Sequence, residues 1–141
     1  MSPSAFAAEG DITAVKTQSE GNNLEHDTVL GEYNSLVQVD SDTYALAYAG
    51  TDNDGFISTF TISSDGTTIT ELATLEHAVN NGQHNSLVQV DSDTYALAYA
   101  STNVDGFIST FTIDSDGNIT AVKTQSEGNN LEHDTNHGGY N

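Results

Sequence analysis

Sixteen residues, Asn34-Ser-Leu-Val-Gln-Val-Asp-Ser-Asp-Thr-Tyr-Ala-Leu-Ala-Tyr-Ala49, return without a change at Asn85 to Ala100, a period of 51 residues. Self-similarity at a spacing of about 20–50 residues marks stacked-repeat architectures, in which each unit buries its apolar faces against a neighbouring unit and not alone. The stretch Gly55 to Ile62, GFISTFTI, repeats as strictly at Gly106 to Ile113. Architecture is therefore written into the chain more plainly than chemistry.

Each period holds four runs that alternate as β-strands do. Ser35–Val39 is the first. The second is Thr43–Ala49, with Tyr44, Leu46 and Tyr48 on one face and Ala45, Ala47 and Ala49 on the other. Large side chains of one sheet can then fill the space left over alanines of the next, which suits a sheet packed on both faces. Gly55–Ile62 is the third run, and Thr68–Leu72, matched by Ile119–Val122, is the fourth. No run carries a helical period.

The connections are those of antiparallel hairpins. Asp40 to Asp42, Thr51 to Gly55 and Ser63 to Gly66 are made of Asp, Asn, Ser, Thr and Gly, which supply turn conformations. A longer link, Leu75 to His84, leads to the next period. Four antiparallel strands in about fifty residues followed by a longer crossover resemble one blade of a β-propeller. The resemblance covers nearly the whole chain, although no Trp-Asp pair and no Trp after Ser64-Asp65-Gly66 points to a named subclass.

The expected fold is thus all-β, a propeller with four-stranded antiparallel blades and two blades per chain. Residues 34–84 form the first blade and 85–135 the second. Residues 10–33 hold an extra fourth strand and a link, and 1–9 and 136–141 are tails. The extra strand shows in the letters: Ile12 to Thr28 is identical to Ile119 to Thr135.

A propeller needs about four to eight blades, so two must find company. Head-to-tail contact between copies closes three chains into a six-bladed ring or four into an eight-bladed one, with the trimer preferred. Two identical fourth-strand segments then compete for one slot at each junction. The N-terminal copy, 11–18, is expected to be the guest on an adjacent blade or to stay outside the ring, and the C-terminal copy to stay in its own blade. The opposite assignment stands beside it.

Charge narrows the partners. Asp and Glu number 21 against two Lys and no Arg, a net charge of -19, which repels nucleic acid and anionic membrane surfaces. Without arginine the bidentate clamp for carboxylates and phosphates is missing. Without cysteine there is neither a disulfide framework nor thiol chemistry. Ala5 and Ala7 stand in the spacing that signal peptidase reads, which leans towards export.

Candidate site residues fall on connections. Asp52, Asp54 and the later Asp105 sit in oxygen-rich turns that look like a calcium loop, a cation needing 6 to 8 hard ligands. The twin of the first turn reads Thr102-Asn-Val-Asp-Gly106, which weakens that reading against an ordinary hairpin. Glu25-His26, Glu76-His77 and Glu132-His133 each set a carboxylate beside an imidazole, with His84 and His137 in addition. Against a metal or ligand site stands the plainer expectation that these histidines bond backbone groups in the interblade link. Asn34 and Asn85, with Asn141 in the same register, open the first strands and would line a central channel. There they could hold a sugar, or simply cap the strand entrance.

The tyrosines and phenylalanines of the strands read as interblade core. No Ser-His-Asp order, phosphate loop or dinucleotide fingerprint occurs. The leading functional expectation is a non-catalytic, self-assembling propeller whose repeated polar loops bind a ligand, a glycan being the favoured class, through multivalency. Beside it stand a purely structural repeat fragment and, as an outsider, a glycoside hydrolase using carboxylates such as Asp54 and Asp105.

Overall fold

The computed structural model describes residues 10–134. The Ala5–Ala7 pattern, His137, Asn141 and both tails lie outside them. Two antiparallel sheets account for nearly all regular structure. The first contains β1 (Glu32–Gln38), β2 (Thr43–Ala49), β3 (Gly55–Ile62) and β4 (Ile69–Ala78) in that order. The second contains β5 (Gln83–Gln89), β6 (Thr94–Ala100), β7 (Gly106–Ile113) and β8 (Ile119–Lys123), with β9 (Leu131–Asp134) also paired to β7. These are two propeller blades.

The strand-for-strand order follows from the hairpin turns, and the register is the same in both blades. Tyr44 faces Phe60 and Tyr48 faces Phe56 across the first hairpin, as Tyr95 faces Phe111 and Tyr99 faces Phe107 across the second. The innermost strands, β1 and β5, run side by side, and the Ser35 hydroxyl accepts the Leu87 N–H at 3.0 Å.

The fourth strand departs from expectation in length. β4 continues through Ala78, so much of the presumed link is strand: Leu75 pairs with Ile57, Glu76 with Phe56 and Ala78 with Gly55. The reason is that β3 is eight residues long, and its far half needs a partner as much as its near half. In blade two the same pairing is made in two pieces. β8 covers the near half of β7, a turn over Gln125 to Gly128 interrupts, and β9 resumes with Glu132 opposite Phe107. Residues 12–27, though identical in sequence to the blade-two segment, join neither sheet.

The core lies between the blades. The alanine face of blade one, with Ala45, Ala47 and Ile57 each at 0% exposure, packs on the large-residue face of blade two, where Tyr95, Leu97, Tyr99 and Phe111 are also at 0%. Full burial of side chains of this size stabilises by about 1.5–3 kcal/mol each, which makes this face-to-face contact the main cohesive term.

Two outer faces remain. On the large-residue face of blade one, Leu36 is 58% exposed where its counterpart Leu87 is 6%. On the alanine face of blade two, Ala96, Ala98 and Ile108 are only partly buried, and Val88 and Val90 are 56% and 62% exposed. Among the described residues no helix is long and apolar enough to cross a membrane.

Candidate functional site

The β2–β3 turns and the interblade link meet at one end of the blades. The chain reverses between Gly50 and Asp54 through two successive backbone bonds, Asn53 N–H to Gly50 O and Asp54 N–H to Thr51 O. The link then comes down on this turn, with Gly82 donating its N–H to Asn53 O at 2.8 Å. Glycine is required at that contact, because a Cβ on residue 82 would stand 2.1 Å from the Cα of Gly55. The twin turn of blade two is tied to the same link by the Ser101 hydroxyl, which donates to Asn80 O at 2.5 Å.

Within this cluster Asp54 and Glu76 are hydrogen-bonded to each other. Both carboxyls are pushed up from their ordinary range. For Asp54 burial is the main cause, with the charge of Asp52 adding to it; for Glu76 burial again leads, with the charge of Asp54 next. Asp105 occupies the equivalent turn in the other blade, where one carboxylate oxygen is buried without a hydrogen-bond partner. Asp52 is exposed.

The three aspartates do not converge. Among the described residues no group of three or more His, Cys, Asp or Glu could hold a metal ion. The turns are closed by their own backbone bonds, and Asp52 sits in the left-handed region at φ 61°, as any tight hairpin residue of this type does. No cluster among the described residues adds support to the calcium-loop reading, which is the weaker of the two expectations for these turns.

The histidines also differ from expectation. His77, which the sequence suggests would bond backbone groups, is fully buried with neither ring nitrogen hydrogen-bonded. Its ring instead stands edge-on to Tyr99, with centroids 4.7 Å apart, and to Phe111 at 5.9 Å. Burial lowers its pKa to about 3, so it is neutral throughout the physiological range. His26 stands in the same relation to Tyr48, at 4.6 Å, with its Nδ1 likewise unpaired. Glu25 and Glu132 are exposed beside their histidines. Asp27 replaces Ala78 at the third position of this motif. Burial works to raise its pKa, but N–H bonds from Leu30, Val29 and Thr51 outweigh it and hold the carboxyl below its ordinary value.

At the inner strands the asparagines hold backbone. Asn34 donates to Gly31 O at 2.9 Å. Asn85 bridges Gly82 O at 2.7 Å and Tyr33 O at 3.1 Å, joining the two innermost strands. Beside them His84 packs against Tyr33 at 4.6 Å. Both of these residues have φ 54°, at matching register shifts in β1 and β5. Tyr33 is not evident as a site residue from the sequence. Its only sign there is that it stands one period before His84.

The end loops and the inner-strand amides thus form two separate polar groups, one at the turn–link junction and one at the mouth of the inner strands. A recess of about 210 Å³ adds a third, apolar feature on the open face of blade one, lined by Leu24, Leu36, Tyr44, Leu46, Phe60 and Ile62 among others.

A family model described as "Lactonase, 7-bladed beta-propeller" matches residues 5–138. No curated protein and no solved structure matches.

Proposed function

The chain belongs to the seven-bladed lactonase β-propeller family, and from that premise we propose that it is a propeller-building unit, completed by association of copies, that presents repeated polar loops to a ligand without catalysing a reaction. The observation that carries this reading is the pair of open faces. The large-residue face of blade one and the alanine face of blade two are the two sides of the interface already built once between the blades. Copies joined in this way have a head and a tail, and heterologous contact of that kind closes a ring when the rotation per unit allows.

Whole two-bladed copies give even blade counts, six from three copies or eight from four, with three preferred. The family's seven is odd, so a ring of this chain alone changes the family's count by one. Ring formation multiplies each polar group. The Tyr33–His84 and Asn34–Asn85 positions recur at the channel mouth, and the Asp54–Glu76 junction recurs around one end. Amides, a ring face and no cationic side chain at that mouth suit a neutral hydroxylated ligand, a glycan before an anion. A glycan array probed with the assembled protein tests this: retention of neutral sugars, reduced in Asn34→Ala/Asn85→Ala, is expected, and an array without signal removes the ligand from the reading.

A second reading follows the family's description. Hydrolysis of a lactone requires a group that activates water, and the mutually hydrogen-bonded Asp54 and Glu76, raised in pKa, are the titratable pair best placed to share that role. Turnover of a lactone by the native protein that is lost in Asp54→Asn and Glu76→Gln would favour it over the first.

A further inference from the structure

Residues 12–27 lie against blade one in the place that the fourth strand of a preceding blade would take. Three correspondences carry the statement. His26 stands edge-on to Tyr48 at 4.6 Å, as His77 of β4 stands to Tyr99 of the following blade at 4.7 Å. Val15 lies over Gly66, as Leu72 of β4 lies over Gly117. Leu24 borders the open face of blade one, and its counterpart Leu75 packs against the interblade core. Yet this segment joins neither sheet, whereas β4 pairs along β3, and β8 with β9 along β7.

Between the segment and the large-residue face of blade one lies the apolar recess of about 210 Å³. Its walls at Leu36, Tyr44, Leu46 and Phe60 correspond to Leu87, Tyr95, Leu97 and Phe111, which in blade two close on Ala45, Ala47 and Ile57. The residues that would fill the recess in the same way are Ala96, Ala98 and Ile108, which lie on the open face of blade two, and a second copy would bring them there.

We propose that the recess receives blade two of a second copy and that residues 12–27 of the receiving copy then pair with β7 of the incoming one, displacing its own β8 and β9. This inference rests on the assembly reading above and adds how the junction is made. The displaced and displacing segments are identical from Ile12 to Thr28 and from Ile119 to Thr135. Every ladder pairing that is given up is therefore made again: Lys16 takes the place of Lys123 opposite Thr110, and Glu25 that of Glu132 opposite Phe107. Ser126, which bonds Glu76 O and His77 O of its own chain, is replaced by Ser19 on the same two carbonyls of the incoming copy. The exchange leaves the strand ladder unchanged, so newly buried face decides the balance.

The absence of cysteine makes a direct test possible. In Lys16→Cys/Thr110→Cys the two thiols meet only across copies, and in the control Thr110→Cys/Lys123→Cys only within an unexchanged copy. Oxidation of the first variant is expected to yield covalent multimers. A second readout is amide exchange, in which peptides starting at Asp11 and Asn118 tell the identical segments apart: protection should rise at 12–16 and fall at 119–123 on assembly. Assembled particles that show neither a cross-copy disulfide nor that change, with the control closing within single chains, overturn the strand exchange and leave assembly by face docking. A chain that stays monomeric in every condition overturns the assembly reading itself.

Discussion

His26 is edge-on to Tyr48 at 4.6 Å, and 51 residues later His77 holds the same posture against Tyr99 at 4.7 Å. The repeat is thus preserved in three dimensions as well as in letters, and it extends to the segment 12–27 that precedes the first blade. His26 lies in the segment 12–27 and His77 in β4, and each packs on the second strand of the blade that follows it. His77 in particular is a joint between the two blades.

That placement fixes a pH dependence. His77 is lowered from 6.5 to about 3 by burial, so the unfolded chain binds the proton more readily than the folded one. Its contribution is fully present above pH 6.5 and is lost progressively as pH falls towards 3, at up to about 1.4 kcal/mol per pH unit. In His77→Leu this slope should vanish from urea midpoints measured between pH 7.5 and 5. The variant should also be no less stable at neutral pH, because two unpaired buried ring nitrogens cost about 1–3 kcal/mol that leucine avoids.

Val104 sits at φ 65° in the blade-two turn, where blade one has Asn53 at φ 66°. A β-branched residue is strained there and asparagine is not. Val104→Asn should stabilise the protein by about 1 kcal/mol, since Val104 is 40% exposed and gives up little packing. Thermal melts of the variant against the parent check it.

The Asp54–Glu76 pair predicts the opposite pH sense. Both carboxyls are raised by burial and by neighbouring acidic charge, so their shared proton supports the fold below their ordinary range and that support is lost as pH rises through the raised values. Glu76→Gln should therefore raise the denaturation midpoint at pH 7 and not at pH 3. The gain should be only a few tenths of a kcal/mol, because the pair is largely solvated.

Ala47 and Ala98 occupy equivalent places on β2 and β6, but Ala47 is at 0% exposure inside the interblade core and Ala98 is on the open face. Ala47→Leu should destabilise the single chain by about 1–3 kcal/mol through overpacking. Ala98→Leu should leave the melt of the isolated chain unchanged and prevent its association. Melting curves together with sedimentation separate the two.

Much of this fold is legible in the letters because two signals agree: a strict period and an alternation of large and small residues that the structure resolves into the two sides of one interface. Strands two and three lie where the alternation places them, Thr43–Ala49 and Gly55–Ile62. The fourth strand reads short because Leu75, Glu76, His77 and Ala78 resemble a polar link, and only their pairing with β3 reveals a strand. The site is far less legible. A turn rich in Asp and Asn reads alike whether it holds a cation or closes a hairpin, and burial of His77 depends on the next blade, which linear spacing does not report. Tyr33 and His84 meet across a period, a relation visible only once β1 and β5 are side by side.

The central claim, that the two open faces of this chain fit one another, is tested most directly by the native mass of the particle across protein concentration and salt, since added salt screens repulsion between chains of net charge -19. From a chain of 14.9 kDa the account predicts a discrete trimer of about 45 kDa, favoured as salt rises. A compact species that holds at 14.9 kDa at every concentration and salt would contradict it.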